Sequence, residues 1–165
     1  MKRDEEIAIE WDCQKVWRQY YHYVDHHEFD KAIELFTEDV TWESMGLKVK
    51  GRDAIMETLH SGLGNDTIRH VVSNTMVNVI DENHAELFEY HTIYYSREGR
   101  REDLDGPLDF DGPHRLSDAY AKMRRVGDEW QIYAREKNPI IFRRPNQPAA
   151  LEDWAEKEGK KAPLI

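Results

Sequence analysis

From Glu5 to His27 the apolar side chains Ile9, Cys13, Val16, Tyr20 and Val24 recur at intervals of three and four. That is the stripe of an amphipathic helix. Trp17, Tyr21 and Asp25 follow at spacing four along its flank, which sets a carboxylate beside the core face at the helix end. A second short helix is predicted from Asp30 to Phe36 and a strand over Val40 to Ser44. Gly46 and Gly51 bracket another extended piece from Leu47 to Lys50, and Gly51-Arg52-Asp53 opens a helix through His60 that Gly62 and Gly64 end. The second half changes period. Thr67 to Ile80, Ala85 to Arg97, His114 to Val126 and Glu129 to Phe142 read as long strands, with Asp81-Glu82-Asn83 and Gly127-Asp128 as turns. Glu98 to Pro113, with its Gly-Pro pairs and acidic residues, reads as a long mobile loop of the kind that covers a site.

Helices first and a meander of strands afterwards imply an α+β fold, with the helices packed on one face of a curved antiparallel sheet. At 165 residues, 39% apolar and 11% aromatic, the chain has material for one core. The expected division is a domain over residues 1–142 and a tail over 143–165, in which Leu151 to Lys160 is a short helix and Trp154, Leu164 and Ile165 are apolar anchors. A net charge of -10 argues against a nucleic-acid or anionic-membrane partner, which needs a basic patch. Arg124-Arg125 and Arg143-Arg144 are pairs at strand ends rather than a binding stripe. Cys13 is the only cysteine, so no internal disulfide forms. A charged N-terminus without a leader pattern, and no apolar run of ~18 residues, lead us to expect a cytoplasmic protein.

The chemistry concentrates in Arg69-His70-Val71-Val72-Ser73-Asn74. Under strict strand alternation His70, Val72 and Asn74 share one face. His70 with Asp25 supplies a base and the acid that orients it, or else a core histidine tied to a carboxylate for structure. Asn74 is a candidate donor to a developing oxyanion, or a polar residue pairing at a strand end. Tyr21 and Trp42 are the aromatic side chains chosen to line a pocket, with Tyr120 among the further tyrosines that could bind substrate. His91, on the parity of Glu89 and Ile93, is a second acid or base, or a surface residue. His114 and Asp118 share a parity on the next strand, and Arg135 on the last strand is a clamp for a carboxylate or a partner for an acid. His22, His26 and His27 cluster near the helix end but lack zincin spacing, and neither a metal nor a cofactor is expected.

Tyr20-x4-Asp25, Phe29-Asp30, Leu35-Phe36-Thr37-Glu38-Asp39-Val40-Thr41-Trp42, Gly51-Arg52-Asp53-Ala54-Ile55, Arg69-His70-x3-Asn74 and Trp130-Gln131-Ile132 occur in that order. Together they resemble the SnoaL-like branch of the nuclear-transport-factor-2-like superfamily, in the subgroup with scytalone dehydratase and hexachlorocyclohexane dehydrochlorinase. The resemblance implies a cone of helices around a strongly bent sheet, a deep pocket, His70 as base and Asp25 as its orienting acid. Two positions depart from the dehydratase pattern: Val24 stands where a tyrosine precedes the aspartate, and Arg97 falls near the place of a second histidine. The family also contains non-catalytic small subunits of ring-hydroxylating dioxygenases.

Two functions are therefore expected to compete. One is a cofactor-independent lyase or isomerase acting on a small cyclic or aromatic hydroxylated compound. The other is a small-ligand carrier or structural subunit. On either reading the resemblance implies a homodimer or homotrimer built through the open sheet face.

Overall fold

In the computed structural model, which describes residues 1–44, 47–108, 112–136 and 140–143, three helices and seven strands follow the order α1 (Arg3–Asp25), α2 (Phe29–Glu34), β1 (Phe36–Ser44), β2 (Leu47–Lys50), α3 (Arg52–Leu63), β3 (Thr67–Val79), β4 (His84–Ser96), β5 (Arg115–Val126), β6 (Glu129–Glu136) and β7 (Ile140–Arg143). The tail beyond residue 143, with its expected helix and anchors, lies outside the described residues. The strands form one sheet in the order β2-β1-β6-β5-β4-β3, with β7 paired to β5. Strands β3 to β6 make the expected antiparallel meander, but β1 lies parallel to β6, so the sheet is mixed rather than antiparallel.

Several boundaries differ from expectation for local reasons. The second helix stops at Glu34 and Phe36 already belongs to β1, because Phe36 and Val40 are both needed inside the sheet core. Helix α3 runs past Gly62, which is buried within it, and ends at Gly64, whose positive φ of 51° suits a residue without Cβ. The extended run after Glu129 is two strands, one along the end of β5 and one along its start. Residues 98–108 contain a 3₁₀ turn at Arg101–Asp103, and the Thr67 hydroxyl donates to the Gly99 carbonyl to tie this interval to β3.

The helix stripe is wider than periodicity alone suggests. Trp17, Tyr21 and Asp25 are buried together with Ile9, Cys13, Tyr20 and Val24, whereas Val16 is only half-buried. Helix α1 thus lays an aromatic face over the inner surface of the sheet, made by Leu87, Glu89, His91 and Ile93 of β4, Ser117, Ala119, Ala121 and Met123 of β5, and Ile132 of β6. Arg52, directly after Gly51, donates from Nε and Nη2 to the Phe36 carbonyl at 2.8 and 2.6 Å and pairs with Glu34 and Glu38. The Gly-Arg-Asp motif therefore clamps the corner where α2 passes into β1.

Two β-bulges decide what this inner surface displays. On β3, Asn74 and Thr75 lie between the paired residues Ser73 and Met76 and face the single residue Glu89 of β4. Asn74 takes a φ of 51°, the left-handed conformation that asparagine tolerates better than most residues. On β6, Tyr133 is the extra residue between Ile132, opposite Met123, and Ala134, opposite Lys122. The parity shift turns Arg135 inward beside Ala121 and Trp42.

Candidate active site

The site is built at the end of α1. A carboxylate in the last turn of a helix meets the negative end of the helix dipole and needs positive or donor partners there. Asp25 finds them at the start of β3. The His70 amide donates to Oδ2 at 2.8 Å and His70 Nδ1 contacts Oδ1 at 2.5 Å. Arg69 Nη1 donates to the Asp25 carbonyl at 2.7 Å. A carboxylate offers only acceptors, so Nδ1 carries the proton of that contact and Nε2 is left with a lone pair. Both side chains are 8% exposed. Burial lowers the His70 pKa below its ordinary value, and the hydrogen bond and charge of Asp25 oppose that shift. The imidazole is therefore a neutral base at neutral pH, with its imidazolium stabilised in advance by the carboxylate.

Tyr21 lies against the His70 ring, centroid to centroid 4.5 Å. Its hydroxyl is 3.3 Å from His91 Nδ1 and accepts from Arg135 Nη2 at 3.2 Å, while Arg135 Nη1 donates to the Tyr20 hydroxyl at 2.9 Å. Trp17, Tyr20, Tyr21 and Trp42 surround the guanidinium within 5.3 to 5.7 Å of its carbon. Burial raises the pKa of both tyrosines, with the Arg135 charge pulling the other way, so both phenols stay protonated.

Next to them Glu89 is fully buried, and neither carboxyl oxygen has a hydrogen bond of good geometry; His91 Nδ1 lies 3.4 Å from Oε1, and Trp17 and Tyr21 also face the carboxyl group. Burial pushes Glu89 up to about 7 against the lowering effects of Trp17, Tyr21 and Arg135, and burial holds His91 well below its ordinary value. The Ser117 hydroxyl, across the ladder from His91, is buried and without a partner among the described residues. So much buried polarity is costly to a fold of this size. It makes this surface the candidate site.

Of the residues chosen from sequence, Asp25, His70, Tyr21, Trp42, His91 and Arg135 come together here. Asn74 does not. The bulge that begins at it breaks the alternation from His70, and its side chain is exposed. Tyr120 is 40% exposed on the outer sheet face, its ring 5.0 Å from that of Phe88. Asp118 also lies off the inner surface, because β5 turns Ser117, Ala119 and Ala121 inward. His114 is buried just before β5, 5.5 Å from the Tyr95 ring. In the sequence Glu89 stands out only as a marker of strand parity, and Ser117 gives no signal beyond its place in an alternating run. Among the described residues no three metal-binding side chains converge. No helix among the described residues is long and apolar enough to cross a membrane.

A family model for the SnoaL-like domain matches residues 5–136. The chain belongs to the SnoaL-like family. No curated protein matches its sequence. Among solved structures, a Novosphingobium aromaticivorans protein provisionally assigned as a scytalone dehydratase superposes with a TM-score of 0.73 at 17% identity, over 89% of this chain and 93% of that one. A protein of the same organism provisionally assigned as an aromatic ring hydroxylase gives 0.65 at 18% identity, over 80% and 88%. A nuclear-transport-factor-2-like protein with a cystatin-like fold, also from that organism, gives 0.63 at 20% identity, over 85% and 84%. At such identities these likenesses establish the α+β fold that the SnoaL-like domain shares with them.

Proposed function

We propose that this SnoaL-like protein is a cofactor-independent lyase or isomerase acting on a small cyclic or aromatic hydroxylated compound in the cytoplasm. The observation that carries the reading is the two-point grip of Asp25 on His70, through the backbone amide and Nδ1. Such a grip fixes the ring plane, the tautomer and the direction of Nε2, which are the properties a general base needs. A core histidine kept only for packing needs none of them. His70 Nε2 removes a proton from the substrate, and the imidazolium so formed is held by Asp25. The oxygen that gains charge or leaves is met by the interior donors, Tyr21, His91 and Arg135, with Trp42 as an apolar wall. Elimination of water, retro-aldol cleavage and double-bond migration share this opening step.

The test compares wild type with His70→Ala on a panel of hydroxylated aromatic and alicyclic compounds, following product mass. Turnover by wild type that falls ~10²- to 10⁴-fold in the variant supports the reading, and the mass change separates elimination from isomerisation. Equal binding without turnover in both proteins favours a carrier or a structural subunit. We also assign the outer sheet face to contact with a second copy of the chain, as a dimer or trimer. Phe88, Tyr90 and Tyr120 form a ring cluster there, with Met76 65% exposed beside it.

A further inference from the structure

His91 Nδ1 meets two groups at once, the Tyr21 hydroxyl at 3.3 Å and Glu89 Oε1 at 3.4 Å. Arg135 donates to the Tyr21 oxygen, so the phenol's own proton turns toward Nδ1 or toward the Glu89 carboxyl group beside it. A ring nitrogen can accept from Tyr21 or donate to Glu89, but not both. We infer that Glu89 is a positioning residue whose proton decides which nitrogen of His91 is protonated, and so whether Nε2 presents a donor or an acceptor to a bound molecule. With Glu89 a carboxylic acid, Nδ1 accepts from its neighbours and Nε2 carries hydrogen. With Glu89 a carboxylate, the proton sits on Nδ1, directed at Oε1, and Nε2 becomes an acceptor. No net charge appears on the imidazole in either state.

Trp17 and Tyr21 also face the Glu89 carboxyl group and steady its charged form, but neither gives up its proton near neutrality. From α1, Trp17, Tyr20 and Tyr21 face the pair, and the Asp25 carboxylate is engaged by His70 of β3. From β5 come Ser117 and the charge of Arg115, and from β6 the charge of Arg135. Burial above all, then any charge on His70 and the charges of Arg135 and Arg115, keep His91 from becoming an imidazolium, while burial carries Glu89 up to about 7, where a proton is readily gained or lost. The position of Glu89 opposite the Asn74–Thr75 bulge, where β3 offers two residues against one, places this switch at an irregular point of the sheet. On the lyase reading, on which this consequence rests, the acid form suits a carbonyl or enolate oxygen and the carboxylate form suits a hydroxyl.

The experiment needs no substrate. Long-range ¹H–¹⁵N spectra of the full chain labelled at histidine, with the His91 signals identified by their absence in His91→Phe, are recorded from about pH 5.5 to about 8.5. Wild type should pass from the Nε2–H to the Nδ1–H tautomer with a midpoint near neutrality. Glu89→Gln, whose amide can donate to Nδ1 at every pH, should hold the Nε2–H form throughout, and His70 should remain Nδ1–H in both. A single His91 tautomer across the range in wild type, or a step that persists in Glu89→Gln, overturns the inference. If that variant does not fold, carboxyl ¹³C shifts of glutamate-labelled wild type decide instead: a carboxyl titrating with the His91 midpoint supports it, and unrelated midpoints overturn it. Failure of the lyase reading leaves the tautomer step intact, so the two are judged separately.

Discussion

Asp25 serves two donors of one residue, and removing its charge has separable effects. In Asp25→Asn the amide oxygen can still accept from the His70 backbone N–H while its nitrogen donates to Nδ1, which turns His70 to the Nε2–H tautomer and exchanges two charge-assisted hydrogen bonds for neutral ones. A stability loss of about 1–3 kcal/mol is expected from thermal or denaturant unfolding. Where turnover is found, its acid limb should lie below 6.5, the ordinary value from which His70 is lowered by burial. The variant should move that limb lower still, since it removes the carboxylate that opposes the shift. Glu89 acts on stability in the opposite sense to a salt-bridged acid. Its value is raised from 4.5 to about 7, so the folded chain holds a proton that unfolding releases between those limits. The contribution is fully present below about pH 4.5 and is lost as pH rises through about 7, a decline of roughly 3 kcal/mol relative to Glu89→Gln. Unfolding of both proteins across that window reads the difference. At this scale the sequence exposed the dyad plainly, because His70 and Asp25 are chemically conspicuous. It hid Ser117, a common residue whose role depends on which strand lies beside it.

Among the elements, the two bulges explain most of the distance between what the pattern implies and what the sheet does. Alternation is a reliable guide to facing only while the ladder is unbroken. It carried His70 and Val72 to the inner face and then failed at Asn74, which adopts a left-handed φ and leaves the surface exposed. Asn74→Gly should be tolerated, whereas Asn74→Ala should cost about 1 kcal/mol of stability, since alanine lacks the local hydrogen bonding that eases this conformation. Neither change should alter the His70 tautomer or any His70-dependent turnover by more than about twofold, as assays of both variants will show. The bulge at Tyr133 works the other way, bringing Arg135 inward where unbroken alternation from Ile132 would send it out. Helix periodicity, by contrast, located all three helices, missing only their ends, and the flank of α1 is buried along with its stripe.

Over the whole molecule, order and spacing of short motifs were enough to place the helices and the meander, because those contacts are mostly between neighbours in sequence. The mixed character of the sheet was not legible, since nothing local marks β1 as the parallel partner of a strand made some ninety residues later. An outer face bearing Phe88, Tyr90 and Tyr120 is also a property of the assembled sheet and not of any one segment. If that face joins copies of the chain, Tyr120→Glu together with Phe88→Glu should lower the mass seen by light scattering to that of the single 19.6 kDa chain while His70 remains paired with Asp25.

The parallel pairing of β1 with β6 also has a kinetic side. Between them the chain must form α3 and the whole β3–β5 meander before β1, β2 and their helices have a strand to dock against. Closing so long a loop is entropically expensive and slow, so the amino-terminal part should wait, incompletely packed, until residues near Trp130 emerge from the ribosome. Stalled nascent chains ending before β6 should accordingly be cut by protease between α1 and α3, and chains that extend well beyond Arg143 should resist.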